Sequence, residues 1–283
     1  MVLANSCRVS RSCDLVAIPS SRFWMGDRQG DGFEQERPAH EVFLDSFEIG
    51  RFCVTAGDYF ELVAGDPGFQ EKWCDYINPC FIVKGPAGYR LCEDADDYPM
   101  IQVNAAGAMA YCNWVSRQWG LEAVYDLKRL DGDLDRNGFR LPTEAEWELA
   151  CGGGGRSPGD GFDPSLHNHR GYRGGAEGLR ASVRKIGGFC VYPWSPMPVG
   201  SLPANELGLH EMLGNVCEWC HDRYTPYTAA VAARPRGGAG GSFRVVRGGS
   251  FMDGPEKLRT TFRYAINQGT KCMIYGFRMA RSL

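Results

Sequence analysis

The chain has 283 residues, a net charge of −3, 43% hydrophobic and 23% charged residues; this is globular composition, and the length suffices for a large core without metal or disulfide. With no basic run and no stretch near the ~18 apolar residues of a membrane span, neither nucleic acid nor a membrane is expected as a partner. The 37 glycines favour turns and loops, where positive φ is needed; the 12 cysteines, with no apolar signal segment in Met1–Pro19, read as reduced, buried thiols of a cytoplasmic protein.

In chain order, residues 1–14 form an extension and 15–283 one domain. Ala17-Ile18-Pro19, Phe23-Trp24-Met25-Gly26, Val42-Phe43-Leu44 and Phe47-Glu48-Ile49 read as short strands. Thr55-Ala56-Gly57-Asp58 opens a first helix as a capping box, and residues 65–98 read as loop. Asn104 caps a second helix that Gly120 ends. Val124–Leu127 and Phe139–Leu141 are expected to pair as a hairpin closed near Asn137-Gly138. Thr143 caps a third helix, with Glu146 reaching back. After Cys151 the chain reads as irregular, with short apolar runs such as Phe243–Val246. Few helices beside many short strands make an α+β, irregular and loop-rich domain.

Four stretches carry a resemblance. The first is Phe23-Trp24-Met25-Gly26 with Glu36-Arg37-Pro38-Ala39-His40, and the second runs from Gly138 through Arg140 and Thr143-Glu144-Ala145-Glu146-Trp147 to Glu148. The third runs from Gly208 through Gly214-Asn215-Val216-Cys217-Glu218-Trp219, and the fourth joins Val246-Arg247-Gly248-Gly249-Ser250-Phe251 to Tyr275-Gly276-Phe277-Arg278. In this order and spacing they resemble the formylglycine-generating-enzyme, or sulfatase-modifying-factor, family. The resemblance implies a fold related to the C-type lectin. Arg140, Arg247 and Arg278, set in apolar motifs, are read as structural, each needing carboxylates or carbonyls around it.

The family's oxidase binds copper(I) through two thiolates three and eight residues past the Ser of the Arg-Gly-Gly-Ser motif. Asp253 and Leu258 hold those positions here, so copper through the usual pair is not expected, and any redox metal is left open. The resemblance also implies a structural calcium ion at Asn215 and Glu218. Asp133, Asp135, Asn137 and Glu144 satisfy an EF-hand pattern literally, but are read as a turn and a helix cap. Cys217 and Cys220 form a lone Cys-x-x-Cys without a second pair for zinc, and His167 and His169 lack a placeable carboxylate.

Two functions follow. The one the sequence favours is a divergent oxidoreductase acting on a peptide or small molecule, with Ser250 and Trp219 lining a pocket and Asp253 facing it as a metal ligand or general base. The alternative is a binding module for a protein ligand, of the retroelement variable-protein type, using a face of Met252, Phe262, Tyr264, Ile266 and Met273. Fold alone does not separate them; a deep pocket would favour the first and a flat apolar face the second.

Overall fold

The computed structural model describes residues 11–75, 80–152, 163, 166–170, 184–186, 189–191 and 195–283. Four strands open the chain: β1 Leu15–Ile18, β2 Ser21–Met25, β3 His40–Leu44 and β4 Phe47–Gly50. Helix α1, Ala56–Gly65, is followed by β5 Ile82–Gly85 and β6 Gly88–Leu91, then by α2, Ala105–Gln118. Strands β7 Tyr125–Asp126, β8 Asp131–Gly132 and β9 Phe139–Arg140 precede α3, Glu144–Gly152. The rest holds β10 Arg184–Ile186, β11 Phe189–Val191, β12 Cys217–Arg223, β13 Ala232–Ala233 and β14 Phe243–Arg247. The chain closes with β15 Arg263–Asn267, β16 Tyr275–Gly276 and β17 Ala280–Ser282.

Two four-stranded sheets organise the fold. One has the order β1-β4-β17-β9, tying both ends of the domain together, and the other has the order β15-β14-β12-β16. A three-stranded sheet, β13-β3-β2, completes the frame. The expected α+β, loop-rich architecture is what forms. Of the extension assigned to residues 1–14, residues 1–10 lie outside the described residues. Ser12 is buried on the domain, its hydroxyl 2.9 Å from that of Tyr111.

The caps follow the sequence. Asn104 accepts the Gly107 N–H at 2.9 Å, Thr55 that of Asp58 at 3.1 Å. At α1 the capping box is one-sided, because the Asp58 carboxylate takes the Ser12 N–H at 3.1 Å instead of returning to its own cap. At α3 the box is reciprocal: Thr143 Oγ1 accepts from Glu146 N at 3.2 Å, and Glu146 Oε2 accepts from Thr143 N at 2.8 Å.

Three expectations need correction. The 65–98 segment is not all loop, since β5 and β6 form a hairpin around Pro86-Ala87. Val124–Leu127 does not pair with Phe139–Leu141. β7 turns back on β8 because Asp126 caps the Lys128 and Arg129 N–H groups, leaving β9 to pair with β17. The region after Cys151 contains the central strands of the second sheet. In β12 six consecutive residues are buried, so no alternation marked it as a strand.

β12 separates two cores. Cys217 and Trp219 face the first, with Tyr59, Met109, Tyr111 and Phe277. Cys220 faces the second, with Trp147, Phe47, Ile49 and Leu258. Opposite faces of one strand therefore send the two Cys-x-x-Cys side chains into different cores, and both thiols are free. Helix α3 locks the frame with its acids. Glu144 and Glu148, one turn apart, meet Arg263 and Arg247, which are cross-strand neighbours on β15 and β14. Glu146, on the other side of the helix, forks onto Arg140 at 2.6 and 2.7 Å.

Candidate functional site

The site begins at a backbone turn. After β14 the chain reverses through Gly248 and Gly249, at φ +97° and +69°. A Cβ on Gly248 would stand 2.7 Å from the Met212 carbonyl oxygen, so only glycine lets the turn press against the 212–215 segment. Two bonds hold it there, Gly214 N–H to Gly248 O at 2.8 Å and Phe251 N–H to Asn215 O at 2.9 Å. The turn delivers Ser250, fully buried, to its place.

Ser250 Oγ donates to Asp253 Oδ2 at 2.6 Å. The other oxygen of Asp253 holds Lys257 Nζ at 2.9 Å, and the Cys217 thiol stands 4.0 Å from Oδ2. Asp253 is 9% exposed. It is thus a buried carboxylate inside a Ser–Asp–Lys chain rather than an open loop acid. Burial opposes the charge on Lys257, yet the Tyr264 hydroxyl and Asp253 outweigh it and raise its pKa. Burial first, and the Asp253 charge second, push the Cys217 thiol well up, so it is held as the unreactive thiol.

Of the residues assigned to the pocket, Ser250 and Asp253 converge. Trp219 belongs to the core: it is fully buried, donates to Val103 O at 3.0 Å, and its ring lies 5.5 Å from that of Tyr275. Leu258, at the second thiolate position, is also fully buried, in the second core beside Gly249. The donors at the two thiolate positions therefore do not fit copper(I).

Asn215 and Glu218 do not fit calcium either. Glu218 Oε2 accepts from Arg278 Nε at 2.7 Å and Trp147 Nε1 at 2.9 Å; Oε1 accepts from Arg278 at 2.7 Å and from the Cys53 thiol at 3.2 Å. A guanidinium already neutralises this carboxylate, so a cation would have to displace it. Asn215 spends its oxygen on Met197 N at 2.8 Å and Asn168 Nδ2 at 3.2 Å. Among the described residues no group of three or more His, Cys, Asp or Glu is placed to hold a metal ion. The acids of the EF-hand-like run diverge, Asp135 to Arg236 and Glu144 to Arg263. His167 and His169 each turn Nδ1 to a backbone carbonyl, of Leu213 and Arg170.

The binding-face residues divide. Met252 is 47% exposed, and Tyr264, Ile266 and Met273 are half-buried. Phe262 is buried, wedged between Phe33 at 5.3 Å and Tyr264 at 4.5 Å, where it props Tyr264 from behind. Sequence reasoning missed Lys257, although its spacing of four from Asp253 is an ion-pair spacing.

The model of the sulfatase-modifying factor enzyme 1-like domain matches residues 3–283. The chain belongs to this family. It is 31% identical over 95% of its length to a serine/threonine-protein kinase pkn1 of Chlamydia caviae, and 29% identical over 87% to a hercynine oxygenase of Mycobacterium tuberculosis. It spans only 38% and 55% of those two proteins. Treponema denticola variable protein 1 shares its fold, with a TM-score of 0.69 at 24% identity, covering 94% of each chain. No helix among the described residues is long and apolar enough to cross a membrane.

Proposed function

We propose that this member of the family is a non-catalytic binding module, which takes a peptide or protein ligand on the face around Met252, Tyr264, Ile266 and Met273. One observation carries the reading. At the two positions where the family's oxidase needs thiolates, one side chain is closed into an ion pair and the other has become core. Both oxygens of Asp253 already accept hydrogen bonds, from Ser250 and Lys257, which also weighs against a general base. The exposed Met252 beside half-buried Tyr264 supplies an adaptable apolar contact, and Lys257, its side chain 30% exposed, adds a cation suited to an acidic group in the ligand.

A second reading, an oxidoreductase acting on a peptide or small molecule, is favoured by the likeness to a hercynine oxygenase and by the meeting of Ser250 and Asp253. One preparation separates the two. Protein purified without added metal is examined by elemental analysis beside Asp253→Ala, assayed for oxygen uptake with a cysteine-containing peptide, and panned against a peptide library. The binding reading expects selected peptides whose capture falls at least ~10-fold in Met252→Asp and Tyr264→Ala, with no oxygen uptake. Copper or iron near one equivalent that is lost in Asp253→Ala, or turnover of the peptide, overturns it.

A further inference from the structure

A polar cleft of about 260 Å³, sharing no lining residue with the Ser250–Asp253 site, opens between the β3–β4 turn, the loop before β9, and the segment Arg234-Pro235-Arg236. Its floor is Arg140 with Glu146, side chains 3% and 9% exposed. Arg140 is saturated there by Glu146, Leu141 O and Ser282 Oγ. The rim carries two further guanidiniums with capacity to spare. Among the described residues the Arg234 guanidinium makes a single 3.3 Å contact, with Asp45, and that of Arg236 makes contacts only with Asp135. Leu44, Leu134 and Pro235 supply an apolar wall.

Acids and arginines around the cleft are equal in number but not in availability. Arg140 and Glu146 bury one another's charge, while Asp45 and Asp135, with side chains 75% and 72% exposed, are water-screened partners. Arg223 and Arg244, near His221, are bonded among the described residues to backbone carbonyls and to the Gln268 amide oxygen rather than to a carboxylate. These arginines act on two titratable groups. Burial first, then Arg244, Arg140, Arg236 and Arg223, hold the His221 imidazole neutral. The Arg236 hydrogen bond, aided by the charges of Arg236, Arg234 and Arg140, holds the Asp135 carboxyl below its usual range. The backbone adds a second sign. Arg234 sits at φ +48°, a left-handed conformation costly for a side chain with a Cβ, pinned by its N–H to Phe43 O at 2.8 Å.

We propose that this cleft binds a small organic anion through its carboxylate or phosphate oxygens, clasped by Arg234 and Arg236 above the Arg140–Glu146 floor. Asp135 is the tethered anion that the ligand displaces from Arg236, and the apolar wall takes the ligand's carbon skeleton. The inference stands apart from the face around Met252 and does not depend on it.

Isothermal titration of the intact chain with inorganic phosphate, and separately with acetate, at matched ionic strength in chloride tests it. Saturable binding of at least one probe is expected, weakened ~10-fold or more in Arg234→Ala/Arg236→Ala. Asp135→Asn should bind severalfold more tightly, because it removes the internal competitor, a gain that a merely structural Asp135 would not give. Preference for phosphate points to a phosphate ester and preference for acetate to a carboxylate. No binding of either probe, equal binding by the double variant, or an Asp135→Asn that binds no better overturns the proposal; the last comparison holds even if the double variant folds poorly.

Discussion

Arg278 illustrates what a single residue does in this chain. Fully buried, it forks onto Glu218 with Nε and Nη2, both at 2.7 Å, and gives its remaining donors to the carbonyls of Gly50, Arg51 and His210. It thereby ties the end of β4, the 208–211 loop and β12 to one point. Arg278→Ala leaves Glu218 buried with, among the described residues, only Trp147 Nε1 and the Cys53 thiol as donors. Loss of a buried partner of this kind costs ~3–5 kcal/mol, so the urea midpoint should fall by a large fraction of the total stability. Arg22, paired with Glu41 on the exposed face of β2 and β3, is the control, and Arg22→Ala should leave the midpoint nearly unchanged. Equal effects of the two substitutions would refute a structural role for Arg278.

At the scale of elements, the turn after β14 gives the sharpest test. Gly248→Ala must adopt φ +97° and place its Cβ 2.7 Å from Met212 O and 3.1 Å from the Trp147 ring. Gly30 has φ +80° with nothing within 4 Å, so Gly30→Ala carries the backbone cost alone, ~1–2 kcal/mol. Thermal melts should show Gly248→Ala as the more damaging of the two, with the excess measuring the close approach. At the start of α2, Asn104→Ala removes the acceptor of the Gly107 N–H and should cost ~1 kcal/mol.

The elements that were legible are those whose signals are local. Thr143 with Glu146, and Asn104 with Gly120, declare helix ends through a side chain and a backbone group a few residues apart. β9 was assigned to the wrong partner because its true one, β17, lies some 140 residues away and leaves no mark on the intervening turn. β12 was missed because burial on both faces erases alternation. The site was half legible for the same reason. The Gly-Gly-Ser turn and Asp253 could be read directly, and they do meet; that Leu258 faces the core and Phe262 lies under Tyr264 depends on packing from distant segments.

For the whole molecule, the buried titratable pair at the end of β12 gives two opposing slopes to stability against pH. Asp222 is buried, accepts one hydrogen bond, from Glu144 N at 2.7 Å, and is pushed up to about 8, first by burial and then by the nearby Glu144 charge. The folded chain therefore keeps a proton that the unfolded chain releases near ~4, and stability declines as pH rises from there to about 8. His221, stacked on Tyr125 at 5.8 Å, is pushed down to about 3, mainly by burial and then by the arginines around it. The unfolded chain takes up a proton near ~6.5 that the folded chain refuses, so this group removes stability as pH falls from there toward about 3. Between ~4 and ~6.5 the two slopes oppose one another; above that window Asp222 acts together with Glu148, which burial pushes up to about 7. Asp222→Asn keeps an acceptor for the Glu144 N–H but has no proton to lose. Urea midpoints measured at intervals from pH 7 to 8, above the Glu148 value of about 7, should fall more steeply for the wild type than for Asp222→Asn, while both lose stability toward pH 3 through His221. Parallel curves above about 7 would mean that Asp222 is already ionised in the folded chain, with Arg263 supplying its counter-charge.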